Sequence, residues 1–341
     1  MATLHVGTYA ESGGRGLVPL TIGSDGSVAV GDAYPDAANA SYGAHSARRG
    51  LHYLVDEQDE GAVSVLRCDK EQWRRLGRVT TGGAAPCFVA LDAREERLAV
   101  ANYGSGDVAL FRLDERGLPG VRSMVRSSGS GPVADRQEGP HAHCVRFSRD
   151  GAALYLVDLG SDRVLRIALD GDGFGPAATA WQAPPGSGPR HLLFHPEAPL
   201  ALVLSELVSE LTVLAVEGDA LKPCTACSTL PAGFDGESLG GHLALNAAGD
   251  RVYVSNRGDD SIAVFGLDAT SGQLTLRQHI PSGGAHPRHF VLLERERLLI
   301  AAHEKDGRVE AFELTGDGRL AAIDRGVNVP GACFLLSSPS A

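Results

Sequence analysis

An all-β chain of seven four-stranded modules is what three features of this 341-residue sequence predict. A strand–turn–strand pattern recurs seven times. A further short apolar run, introduced by Gly or Pro, stands before six of those pairs. One more such run closes the chain with no pair after it. No segment of useful length carries the 3.6-residue period of an amphipathic helix, which excludes helical solenoids. A four-stranded sheet of about 40–50 residues repeated around an axis is a β-propeller, here with seven blades.

Taken in chain order, the first and loosest hairpin is LHVGTYAESGGRGLVPLTI (4–22), followed by LHYLVDEQDEGAVSVLRC (51–68). The clearer copies are LAVANYGSGDVALFRLD (98–114), LYLVDLGSDRVLRIALD (154–170), ALVLSELVSELTVLAVE (201–217), VYVSNRGDDSIAVFGLD (252–268) and LLIAAHEKDGRVEAFEL (298–314). Each alternates with period two on both sides of a turn rich in Gly, Asn, Asp and Ser, the signature of a β-hairpin. In those five, the first tip residue (Asn102, Asp158, Ser205, Asn256, His303) stands six positions before the first apolar residue of the next strand.

The runs that supply the remaining inner strands begin at GAHSARR, APCFVAL, GPHAHCVRF, GPRHLLF, GGHLALN, HPRHFVL and GACFLLS. The residues that open them are read as His45, Cys87, His143, Arg190, His242, Arg288 and Cys333, at intervals of 42, 56, 47, 52, 46 and 45. The longest interval holds a polar insertion, RSSGSGPVADRQEGP (126–140). Because the chain starts with a hairpin and ends with an inner strand, joining residues 332–338 to residues 3–9 completes the seventh blade and removes two open edges. One closed domain over residues 1–341 is expected. Such a ring needs no partner subunit, so a monomer is expected too.

Composition narrows the function classes. With 43% hydrophobic residues, 43 glycines and 18 prolines the chain is globular and turn-rich. A net charge of −11 argues against nucleic acid or an anionic membrane as partner. No apolar stretch approaches the roughly 20 residues that span a bilayer. MATLHVGTYA lacks the basic start and apolar centre of a signal peptide. Six scattered cysteines read as free thiols in a reducing cytoplasm, and the lone CxxC of Cys224 and Cys227 has no second pair with which to hold zinc.

In a propeller blade the innermost strand starts, and the second strand ends, at the same face. The residues that open the inner strands therefore share a rim with the hairpin tips. One step after the aligned tip position stand Tyr103, Leu159, Glu206, Arg257 and Glu304. His143, Arg190, Arg288, His242 and His45 are placed beside them. Arg190, Arg257, Arg288, His143 and Glu206 thus converge at one channel mouth, expected to be wet, where they attract an anion and can stabilise an oxyanion. His191, His195 and His289 are assigned to packing and turn capping.

GPHAHCVRFSRDG, GSGPRHLLFHP, SELVSELTVLAV, SNRGDDSIAVF and HPRHF resemble the motifs of the seven-bladed-propeller lactonase family, most specifically from 139 to 290. That family includes propeller-type 6-phosphogluconolactonases and carboxy-cis,cis-muconate cyclase. The resemblance implies an active site of His143, Arg190, Glu206 and Arg257, with Arg288 a further match. His242 and His45, read as opening inner strands, are expected as substrate contacts. Two departures stand out: Ser205-Glu206 replaces the family's usual Asn-Glu, and Arg149 replaces a turn proline. What the resemblance implies is hydrolysis of an anionic sugar-acid lactone. Glu206 is the expected general base, His143 the alternative base or proton donor, and the three arginines hold the anion and polarise the carbonyl. There is no G-x-S-x-G elbow for a serine nucleophile. No cofactor is implied, and His, Arg and Cys make a poor oxygen cage for a hard cation. Two other readings share these residues: a lactone-forming muconate cyclase, and a propeller that only binds.

Overall fold

The computed structural model describes residues 2–23, 27–69 and 72–337. Its strands form seven four-stranded sheets, and the one helical element among the described residues is a single 3-10 turn, Ala10–Ser12. The seven-bladed all-β architecture expected from the repeats is the one observed. In chain order the blades span 43–80, 86–126, 142–182, 189–228, 239–281 and 287–328, and the seventh combines 332–337 with 2–30. The two ends of the chain meet in that last sheet: Ala332–Ser337 pairs antiparallel with Ala2–Thr8, from Leu4 opposite Ser337 to Thr8 opposite Ala332. Residue 338, included in the expected closing strand, lies outside the described residues.

The chain divides into two compact units, residues 39–190 and residues 1–38 with 191–341; the boundary falls inside the strand Pro189–Phe194. Within the first unit, Leu51, Val63 and Val65 of blade 1 pack with Val89, Val100 and Phe111 of blade 2. Within the second, alternation along the strands of blade 5 serves two neighbours. Val252, Val254 and Phe265 face blade 4, whereas Tyr253, Ile262 and Val264 face blade 6. Both faces of this blade are therefore buried, which is why Ser261–Leu267 is buried along its whole length. Each such Val, Leu or Phe contributes about 1.5–3 kcal/mol of transfer free energy.

Two recurring details position the site. The aligned tip residue points inward and holds the hairpin. Asn256 donates from Nδ2 to the Thr229 carbonyl (2.8 Å) and to Ser261 Oγ (3.1 Å), and its Oδ1 accepts from Thr229 Oγ1 (2.6 Å). Asp158 accepts from the hydroxyls of Ser127 and Ser161 and from the His141 and Gly160 N–H groups. Ser205, at the same position, buries an Oγ with no hydrogen-bond partner among the described residues. By strand alternation the next residue, such as Glu206 or Arg257, turns the other way.

The second detail is a β-bulge near the start of the inner strand. Pro86 pairs with Asn102 and Phe88 with Ala101, so Cys87 is the extra residue of the bulge. His143 is skipped between Ala142 and Cys144, Arg288 between Pro287 and His289, and Cys333 between Ala332 and Phe334. A bulge re-aims the extra side chain away from the sheet faces, so these residues escape blade packing.

Candidate active site

Glu206 and Arg257, one step beyond the tips of blades 4 and 5, form an ion pair with Nη2 at 2.8 Å from Oε2. The same Nη2 donates to the Gly240 carbonyl at 2.9 Å, and the Gly240 N–H donates to the Glu206 carbonyl at 2.8 Å. Arg257 is thus tied at once to the tip of blade 4 and to the inner strand of its own blade. Its Nε is buried and hydrogen-bonds to nothing among the described residues.

Blade 6 adds a cluster that the sequence reading only brushed. Glu304 Oε2 accepts from His286 Nδ1 at 3.1 Å and lies 3.7 Å from Arg288 Nη1. Arg288 in turn sits 5.2 Å over the ring of Tyr9, a cation–π contact. His286 is held in the left-handed region (φ 67°), its N–H donating to Asp260 Oδ1 at 2.8 Å. That backbone state belongs to the repeat, since Ala85 and Gly188 adopt it before their own prolines. The imidazole is therefore not what the turn requires. Burial alone would raise the Glu304 pKa, but Arg288, the hydrogen bond from His286 and the more distant charge of Arg257 outweigh it and hold the carboxyl at about 2.

A stability effect follows from that depression. With a folded pKa of about 2 against an ordinary 4.5, the stabilisation is fully present above about pH 4.5 and is lost as pH falls toward 2. Urea unfolding of wild type and Glu304→Gln should differ most near pH 6 and converge near pH 2–3. A constant difference across that range would mean that Glu304 keeps an ordinary pKa.

Within residues 39–190, His143 Nδ1 lies 3.8 Å from Cys87 Sγ, and its ring stands edge-on to Tyr103 at 5.6 Å. Tyr103 also stacks on His141 (4.5 Å) and meets Arg136 of the polar insertion at 3.4 Å. The insertion is anchored by buried Gln137, which donates to the Leu159 carbonyl and to Asp162 Oδ1, both at 2.8 Å. Arg190 acts on Tyr42, whose hydroxyl burial pushes up to about 12 against the opposing charges of Arg146 and Arg190.

Three sequence expectations are corrected. First, the residues are not solvated: Arg190 and Glu206 are 3% exposed, His143 5% and Arg257 6%. Second, His45 does not open its strand. Tyr42 stacks on Phe88 at 4.0 Å and so occupies that level, while His45 pairs with His52 four positions beyond Ser41, the counterpart of Cys87. Its neighbour Ser46 bonds Glu95, on the turn at the other end of the blade from the tips. Third, His242 lies one position too deep. Its ring lies tilted against that of His289 (centroids 4.0 Å apart) and meets His191 edge-on (5.3 Å), in the layer that also includes Phe334. Gly241 occupies the place of Arg288, and a Cβ there would lie 2.6 Å from the Pro287 carbonyl oxygen. The bulge explains the slip at His242, because it adds one residue that apolar alternation does not mark; His45 lies four positions from Ser41 on a strand paired without a register shift.

A cavity of about 250 Å³ opens elsewhere, at the ends of blades 5 and 6 away from their tips, beside Tyr253, Arg251, Glu294 and Asp317. The Tyr253 hydroxyl there donates to the Gly318 carbonyl of the next blade, as Tyr53 of blade 1 does to that of Gly117 in blade 2, so this is repeat architecture. Among the described residues no three His, Cys, Asp or Glu side chains converge as a metal-ligand set, and no helix is long and apolar enough to cross a membrane.

Residues 3–336 match the family described as Lactonase, 7-bladed beta-propeller. The chain is 31% identical over 334 residues to the 6-phosphogluconolactonase of Bacillus subtilis, covering 96% of this chain and 95% of the relative. Among solved structures it resembles the periplasmic gluconolactonase of Pseudomonas aeruginosa, at 28% identity and a TM-score of 0.91 over 98% of both chains. A Lactobacillus plantarum protein is equally similar, at 28% identity and a TM-score of 0.91 over 99% of both chains. With seven blades and a family match running nearly from end to end, the chain belongs to the seven-bladed β-propeller lactonase family.

Proposed function

We propose that this protein hydrolyses the ring ester of a sugar-acid lactone, as a 6-phosphogluconolactonase-like enzyme of the oxidative pentose phosphate pathway. The observation that carries the reading is the buried Glu206–Arg257 pair, a carboxylate and a guanidinium held together beyond the tips of two adjacent blades. Glu206 takes a proton from water as the water oxygen attacks the ring carbonyl. As Glu206 is neutralised, the Arg257 charge is released to face the oxyanion forming nearby, so proton transfer and oxyanion stabilisation are coupled. Collapse breaks the ring C–O bond, and the departing ring oxygen takes the proton to become a hydroxyl. His143 is the alternative base or the donor in that last step. Arg288 holds the anionic end of the substrate. The enzyme works as a monomer on a small molecule, and six cysteines that form no disulfide among the described residues suit a reducing cytoplasm.

Freshly generated 6-phosphogluconolactone should open well above its spontaneous rate when the protein is added, as followed by acid release. Failure to accelerate either this lactone or unphosphorylated gluconolactone would leave a ligand-binding propeller.

A further inference from the structure

Each arginine of the candidate site in residues 191–341 already has a carboxylate. Glu206 takes Arg257 at 2.8 Å, and Glu304 lies 3.7 Å from Arg288 while also accepting from His286. Asp260 and Asp306 add further negative charge, accepting from the His286 and Ala285 N–H groups. A phosphate brings about two negative charges, whereas the lactone ring brings none before the reaction. Arg288 therefore offers a phosphate far less than a lone guanidinium would. The Arg257–Glu206 pair is needed for proton transfer whatever the substrate carries, but nothing in the chemistry of ring opening requires Glu304.

We propose that Glu304 is a specificity-determining residue: by offsetting Arg288 it sets how strongly the site favours a phosphorylated over an unphosphorylated sugar-acid lactone. This rests on the lactonase reading and on Arg288 facing the substrate's anionic end. His286 hydrogen-bonds the same carboxylate and so belongs to the same charge cluster. The left-handed backbone at 286 and the stack of Arg288 on Tyr9 fix the geometry before substrate arrives.

The test compares kcat/KM for 6-phosphogluconolactone and gluconolactone in wild type, Glu304→Gln and Glu304→Asp. Calorimetric binding of the products, 6-phosphogluconate and gluconate, is measured alongside. Removing the charge should raise the phosphorylated-to-unphosphorylated ratio about tenfold or more in both assays, with the gain shrinking as salt is added. Glu304→Asp should stay within about threefold of wild type. Glu304→Ala provides the same comparison if the glutamine variant does not fold. A ratio unchanged in a folded, charge-free variant overturns the proposal. If wild type hydrolyses neither lactone, the lactonase reading falls instead, and the ratio of product affinities still decides the role of Glu304.

Discussion

Glu206→Gln is expected to lower turnover on the lactone by about 10²-fold or more, with KM changing far less. Glutamine keeps the size and hydrogen-bonding reach of the side chain but cannot accept the proton of the attacking water, and general-base assistance contributes about 10²–10⁴-fold. The carboxylate is also the ion-pair partner of Arg257, so rates must be referred to folded protein. The informative companion is the pH–rate profile. Loss of a basic group should remove the acidic limb of kcat against pH, which a merely loosened site would retain. A Glu206→Gln enzyme with wild-type turnover and an intact acidic limb would move the base role to His143, where His143→Gln should then show the same loss.

Arg257→Ala is expected to cost about 3–5 kcal/mol of folding stability as well as activity. Glu206 is nine-tenths or more buried, and removing its partner leaves that largely buried charge uncompensated. The Gly240 carbonyl also loses a donor, so the tie between the tip of blade 4 and the inner strand of blade 5 is cut on that side. A wet channel mouth would predict almost no change. Urea denaturation at pH 7 separates these outcomes, since a loss below about 1 kcal/mol would place the pair in an effectively solvated setting. The double variant Glu206→Gln, Arg257→Met should recover part of the loss, because both charges then leave the buried site together.

The blade count was legible in the sequence because strand alternation and turn residues are local. Each hairpin announces itself within about 17 residues, as Val252 to Asp268 does. Closure by the C-terminal strand was legible as well, from an inner strand without a hairpin and a hairpin without an inner strand. The aligned tips marked Glu206, Arg257 and Glu304 as neighbours of one another's loops, since equal spacing in equal repeats brings equal positions to the same end.

What the sequence could not settle turned on register, burial and pairing. A bulge adds one residue to a strand without altering its composition, so His242 looked equivalent to His143 and Arg288 when Gly241 holds that place. His45 looked equivalent because a Gly precedes its apolar run, although Ser41, four positions earlier, stands at that level. Exposure was misjudged because a charged side chain reads as a surface residue until its partner is known. Arg257 is buried because Glu206, 51 positions away, lies 2.8 Å from it. The Glu304–His286–Arg288 cluster depended on an imidazole carried by a left-handed residue before a proline. The sequence by itself determined seven blades, their closure and which residues gather at the tips, because these follow from local periodicity repeated. Only the tertiary structure decided which charges neutralise which, because ion pairing depends on distances of a few ångströms between segments that the chain order leaves far apart.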